Sequence, residues 1–171
     1  MLILISGPND SGKSRFAEGL ISRAAGDRFY IAAMIPKTED NRRRIEKHIL
    51  QRAGLGFTTL ELPYRVGDAP VTSGSAVLLE DVSNLTANGF FDRGASAGDI
   101  VKDILALSRR CGTLIAVTIS GLDPADYTGE TAAYVSALAE VNRALLAHAA
   151  LAAELDHGVP RYRKGNWNGF A

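Results

Sequence analysis

The chain has 171 residues, enough for one ordinary domain and too few for two, with 46% hydrophobic and 22% charged residues; disorder, collagen-like sequence and coiled coil are excluded. Lys plus Arg and Asp plus Glu number 19 each, so the net basic face of a phosphate-backbone binder is missing and no nucleic-acid partner is expected. The single cysteine, Cys111, cannot close an intramolecular disulfide, and the N-terminal apolar run is too short and lacks the basic start of a signal peptide. A cytoplasmic protein with no membrane span is expected.

Residues 2–6 (LILIS) form a short buried-strand run ending at Gly7, and residues 13–25 follow as a helix with Phe16, Ala17, Leu20, Ile21 and Ala24 at helical spacing. Residues 28–33 are a second strand, 41–52 a basic helix and 57–62 a third strand; 63–74, rich in Gly, Asp, Pro and Ser, is a loop. Two further strand runs, 75–80 and 113–120, are joined by helical periodicity at 99–110 and followed by an alanine-rich helix over 130–153. Residues 155–163, broken by Gly158 and Pro160, are a terminal hairpin or a bent last strand, and the tail from 165 to 171 is loose. Alternating strands and helices predict a mostly parallel sheet covered on both faces, one domain over residues 1–171.

Gly7, Pro8, Asn9, Asp10, Ser11, Gly12, Lys13 and Ser14 spell GxxxxGK[ST] between the first strand and the first helix, the context in which this pattern binds nucleotide phosphates. The glycines let backbone N–H groups turn inward, the helix adds its positive dipole end, Lys13 reaches the β- and γ-phosphates and Ser14 ligates Mg²⁺. Such loops work with an acid at the end of a neighbouring strand. Glu80 and Asp81, after Val77, Leu78 and Leu79, fill that place, although Asp81 equally suits the cap of a following helix.

On the basic helix Arg44, His48 and Arg52 stand at i, i+4 and i+8 beside an apolar column of Ile45 and Ile49. Flanking positive charge favours the neutral, nucleophilic imidazole, and the two arginines suit nucleotide phosphates. On the residues alone, a solvated basic face with His48 merely exposed is the better account of the pattern.

Several stretches in order resemble the bifunctional adenosylcobinamide kinase/adenosylcobinamide-phosphate guanylyltransferase family: the loop continued as Ser14, Arg15, Ala17 and Glu18; the strand from Phe29 to Ala33; Arg44, Ile45, His48 and Arg52 (RIxxHxxxR); Leu78, Leu79 and Glu80 with Thr86, Ala87 and Asn88; Val117 and Thr118; Val141 and Asn142; and Gly158, Val159 and Pro160. The resemblance implies a RecA-like, three-layer α/β/α phosphate-loop fold with one antiparallel strand near the C-terminus. It implies phosphorylation of adenosylcobinamide, then GMP transfer from GTP through a guanylyl-histidine at His48, with ATP and/or GTP as substrates, Mg²⁺, a corrinoid acceptor and a homotrimer. The family commonly has arginine where Asp10 stands, tryptophan where Phe57 stands, and Asn-Glu-Val-Gly where this chain has Ile119, Ser120, Gly121 and Leu122.

Two other readings suit the same residues: a phosphate-loop kinase of another small molecule, and a non-catalytic nucleotide-binding regulator. Cys111 reads as a small buried hydrophobe, His148 and His157 as structural, and Trp167 and Phe170 as either frayed or packed on a neighbouring subunit.

Overall fold

Leu2, Ile3, Leu4 and Ile5 are all buried, because the strand they form is paired along both edges and covered on both faces. The computed structural model describes residues 1–168, excluding the side chains of Asp40, Arg44, Lys47, His48, Gln51 and Arg52. Its elements run β1 (Leu2–Gly7), α1 (Lys13–Ile21), β2 (Arg28–Ala32), α2 (Glu39–Arg52), β3 (Phe57–Glu61), β4 (Ala76–Glu80), α3 (Val82–Arg93), α4 (Ala97–Arg110), β5 (Thr113–Ile119), α5 (Gly129–His148), β6 (Leu151–Asp156) and β7 (Val159–Lys164). The seven strands make one sheet in the order β3-β2-β4-β5-β1-β6-β7. Neighbours pair parallel except β6 and β7, which pair antiparallel. The expected α/β architecture with a C-terminal antiparallel strand is present.

Period-two alternation sends successive residues to opposite layers. Leu2 and Leu4 lie on one face, in a core with Val77, Leu79, Leu114 and Ala116 under α3, α4 and α5. Ile3 and Ile5 join Leu78, Ile115 and Val117 on the other, under Ala17, Leu20 and Ile21 of α1. Each fully buried Ile or Leu contributes about 1.5–3 kcal/mol of transfer free energy.

Three local expectations are corrected, and one helix is added. The first helix ends at Ile21 rather than at residue 25, since the Arg23 and Ala24 amides bond back to Leu20 and Ile21 in a tighter final turn. The alanine-rich helix ends at His148; Leu151, Ala152 and Ala153, expected to be helical, pair in register with Ile3, Leu4 and Ile5, and tertiary pairing overrides alanine's helix propensity. Residues 63–74 are not simply a surface loop, because a 3-10 turn, Val66–Asp68, buries Val66 while Asp103 of α4 accepts from the Val66 and Gly67 amides at 2.8 and 2.9 Å. Helix α3, not delimited by periodicity, is bracketed by the Asp81 cap and by Gly94 at φ 62.

The tail is likewise not loose up to residue 168. Trp167 is buried on its own chain against Phe16 and Tyr162, at ring separations of 6.4 and 4.9 Å, and its Nε1 donates to the Lys164 carbonyl at 3.0 Å. Phe170 lies outside the described residues. Trp167→Ala is expected to lower the unfolding free energy by roughly 3 kcal/mol, as for other buried Trp truncations, measured by urea denaturation.

Candidate functional site

The turn from β1 into α1 is built by close approach. A Cβ on Gly7 would lie 2.5 Å from Ser11 Oγ and 2.6 Å from the Leu155 carbonyl oxygen, so no larger residue fits without movement. Asp10 at φ 57 and Gly12 at φ 86 are left-handed, the backbone state from which successive N–H groups form an anion-binding concavity. Aspartate is among the few non-glycine residues that tolerate this state, and the Asp10 side chain is exposed. Ser11 is buried, and its Oγ has no hydrogen-bond partner among the described residues.

Thr38, Asp81 and Ser96 cap α2, α3 and α4 through their side chains; α5 has no side-chain cap, and neither does α1, where Gly12 precedes the amides of the first turn. Those amides and the positive end of the helix dipole therefore face the loop. Lys13 is 8% exposed, and its Nζ donates to the Pro8 carbonyl at 3.0 Å, folding the ammonium over the loop.

The acid expected at the end of an adjacent strand stands one strand further away. β5 lies between β1 and β4, and the register sets Glu80 opposite Val117, itself opposite Ile5. The gap is closed by side chains: Ser14 Oγ donates to Glu80 Oε1. Asp81 takes the capping role, with Oδ1 accepting from the Asn84 amide and Ser83 Oγ, both at 2.6 Å, and from Asn84 Nδ2 at 3.0 Å. Burial first, and then the Asp81 carboxylate, push the Tyr134 phenol up to about 12; it remains a neutral donor to the Ser83 carbonyl at 3.1 Å.

Beyond β1, partners the motif does not reveal clamp the loop. The Ser120 amide donates to the Gly7 carbonyl at 3.1 Å, and the Gly158 amide in the β6–β7 turn donates to the Ser11 carbonyl at 2.8 Å. A Cβ on Gly12 would stand 3.3 Å from Gly158 Cα. Ser120 Oγ and Arg163 Nε each donate to Glu154 at 3.0 Å. At the end of β5, Thr118 Oγ1 donates to Asn142 Oδ1 at 2.7 Å while Asn142 Nδ2 donates to the Ile119 carbonyl at 2.9 Å. Thr118 and Asn142 were legible as motif letters; the Ser120–Glu154–Arg163 group carries no local sequence signal, because its members meet only when β1 pairs with both β5 and β6 and β6 pairs with β7.

α2 is helical throughout 39–52, so positions 44, 48 and 52 follow one another along a single helix. The side chains of Arg44, His48 and Arg52 lie outside the described residues. Cys111 is buried, and burial pushes its thiol up, as expected of a structural cysteine. His148 Nδ1 bonds to the Ala144 carbonyl and His157 to Asp156.

A phosphate loop at the C-terminal end of β1, an acid reaching its serine from β4, and a helix carrying the RIxxHxxxR spacing occur in one chain whose residues 3–161 match the family model for cobinamide kinase/cobinamide phosphate guanyltransferase. The chain belongs to that family. It is a transferase, as the family's description states. A search of curated proteins returned no match. The family match spans all seven strands but for the first residue of β1 and the end of β7, so phosphate loop, Glu80 and α2 all fall within it. No helix among the described residues is long and apolar enough to cross a membrane.

The Arg163 hydrogen bond holds the Glu154 carboxyl below its ordinary value of 4.5 against the opposing effect of burial, with Ser120 assisting. A carboxylate depressed on folding adds stability fully above its unfolded value, lost as the pH falls through the folded one. The stability difference between the wild type and Arg163→Ala in urea titrations is therefore expected at pH 7 and should vanish on acidification through the carboxylate range.

Proposed function

We propose that this chain phosphorylates the hydroxyl of adenosylcobinamide and then transfers GMP from GTP to the resulting phosphate, as a step of cobalamin biosynthesis. The observation that carries the reading is the contact of Ser14 with Glu80 beside the uncapped start of α1, in a chain matching the family over residues 3–161.

For phosphoryl transfer, the amides of Gly7, Asn9, Asp10, Ser11 and Gly12, with Pro8 shaping the turn, surround the phosphates, and Lys13 leaves the Pro8 carbonyl for the β- and γ-oxygens. The Ser14 hydroxyl and the Glu80 carboxylate are hard oxygen donors side by side, a set suited to Mg²⁺. They would hold the ion, with Asp81 behind them at the α3 cap; when bound, it would neutralise charge on the phosphate oxygens. In this reading Glu80 would also orient the acceptor hydroxyl.

For guanylyl transfer, a His48 ring nitrogen attacks the α-phosphorus of GTP, the bond to the β-phosphate oxygen breaks, and pyrophosphate leaves. The corrinoid phosphate oxygen then attacks the same phosphorus and releases the histidine. Arg44 and Arg52, one helical turn to either side, offer guanidinium groups for the phosphates. Family resemblance supports the role of His48 and a homotrimer; Ile49 and Leu50 of α2, 55% and 76% exposed, are apolar surface that association would cover. The buried free thiol of Cys111 suits the reducing cytoplasm.

GTP labelled at the α-phosphate, incubated with the wild type and with His48→Ala and quenched under denaturing alkaline conditions, tests the transferase step. Label is expected on the wild type alone, and a His48→Ala protein that still transfers GMP normally overturns the assignment. Absence of label on both, with labelled γ-phosphate reaching an acceptor, would favour the small-molecule kinase. In calorimetric titrations Lys13→Ala should weaken nucleotide binding roughly 10- to 100-fold, the loss of about 1.5–3 kcal/mol for a hydrogen bond to a charged group.

A further inference from the structure

The link between β2 and α2 is fastened to α3 at two points. Asn88 Nδ2 donates to the Ala33 carbonyl at 2.8 Å and to the Pro63 carbonyl at 3.1 Å, so one side-chain amide closes the ends of both β2 and β3. The Ala33 amide donates to the Glu80 carbonyl at 3.2 Å; the first residue of the link is held on one side by the strand carrying the site's acid and on the other by α3. One turn beyond Asn88, Asp92 accepts from Lys37 Nζ at 2.9 and 2.8 Å on its two oxygens and from the Tyr64 hydroxyl at 2.7 Å. The Arg93 guanidinium covers the Tyr64 ring at 3.9 Å.

Beyond Lys37 the constraint passes into α2. Thr38 caps the helix by accepting from the Asn41 amide at 3.2 Å, and Asn41 Nδ2 donates back to the Ile35 carbonyl at 3.0 Å. α3 thus starts two residues after Glu80 and, through Asn88 and Asp92, grips the segment from which α2 departs. Neither contact of α3 involves the phosphate loop, and Lys37 is largely exposed, so the pair with Asp92 alone adds little to global stability. Its value lies in orientation: a short link with both ends fixed sets the direction of the helix that follows.

We infer that Asn88 and Asp92 are positioning residues that fix residues 33–38, and through them α2, relative to the phosphate loop, and so govern guanylyl transfer at His48 while leaving phosphoryl transfer untouched. This rests on the reading of His48 above, and the test separates the two. Hydrogen exchange of the 39–52 amides, label uptake from α-labelled GTP and phosphorylation of cobinamide are measured on the full chain as wild type, Asn88→Ala, Lys37→Ala, Asp92→Ala and Lys37→Ala/Asp92→Ala. Both α3 variants should exchange faster over 39–52, take up label roughly 10-fold more slowly, and phosphorylate within about two-fold of the wild type, the scale expected when a reacting group is misplaced by an ångström or less. The double variant should be no slower than Asp92→Ala, since the two side chains act as a pair.

Unchanged exchange over 39–52 overturns the inference. So does an equal loss of both activities, which marks general destabilisation; the exposed Lys37→Ala keeps the test open if Asn88→Ala fails to fold. A wild type that takes no label removes the catalytic half of the inference together with the reading of His48, and the exchange data then decide whether the tether exists.

Discussion

β1 is hydrogen-bonded along both edges, to β5 and to β6, and the groups that would handle phosphate hang from its C-terminal end. A strand in that position cannot shift register without moving every side chain to the opposite layer. With Leu2 and Leu4 fitted into one core and Ile3 and Ile5 into the other, a one-residue slip would exchange side chains between two close-packed layers that are each shaped for the other set. The loop thus starts from an immobile point, and its own close contacts at Gly7 and Gly12 propagate that rigidity to the first amides of α1.

Parallel pairing brings the ends of β1, β4, β5 and β6 to a common edge, the side on which ligands gather in open α/β sheets. There the chain places two kinds of polar contact. Ser14 with Glu80 spans the intervening β5 and joins loop to acid. Ser120 with Gly7 and Glu154 braces the loop from the end of β5, Gly158 with Ser11 braces it from the β6–β7 turn, and Thr118 with Asn142 holds the end of β5. The bracing contacts satisfy buried or half-buried polar groups that would otherwise carry a desolvation cost.

Position 10 shows how a departure from the family's usual residue is accommodated. The backbone there is left-handed, and aspartate tolerates that state better than most side chains; its exposed carboxylate leaves the concavity of amides to the backbone. At Ser120 the departure is put to structural use, since its amide and hydroxyl tie Gly7 to Glu154.

Much of this was legible in the chain itself. The apolar runs at 2–6, 75–80 and 113–120 specify strands buried on both faces, and GxxxxGK[ST] between a strand and a helix specifies the phosphate loop, because both depend on local patterns of side-chain size and backbone freedom. What the tertiary structure alone decided depends on pairing between distant segments. Strand order put β5 between the loop and its acid, β1 drew Leu151, Ala152 and Ala153 out of helix into sheet, Trp167 found a core formed by α1 and β7, and α3 reached across to Ala33 and Lys37. An alanine run or an asparagine carries no local mark of which partner it will meet; that choice is made by the burial and hydrogen bonds available once the sheet has closed.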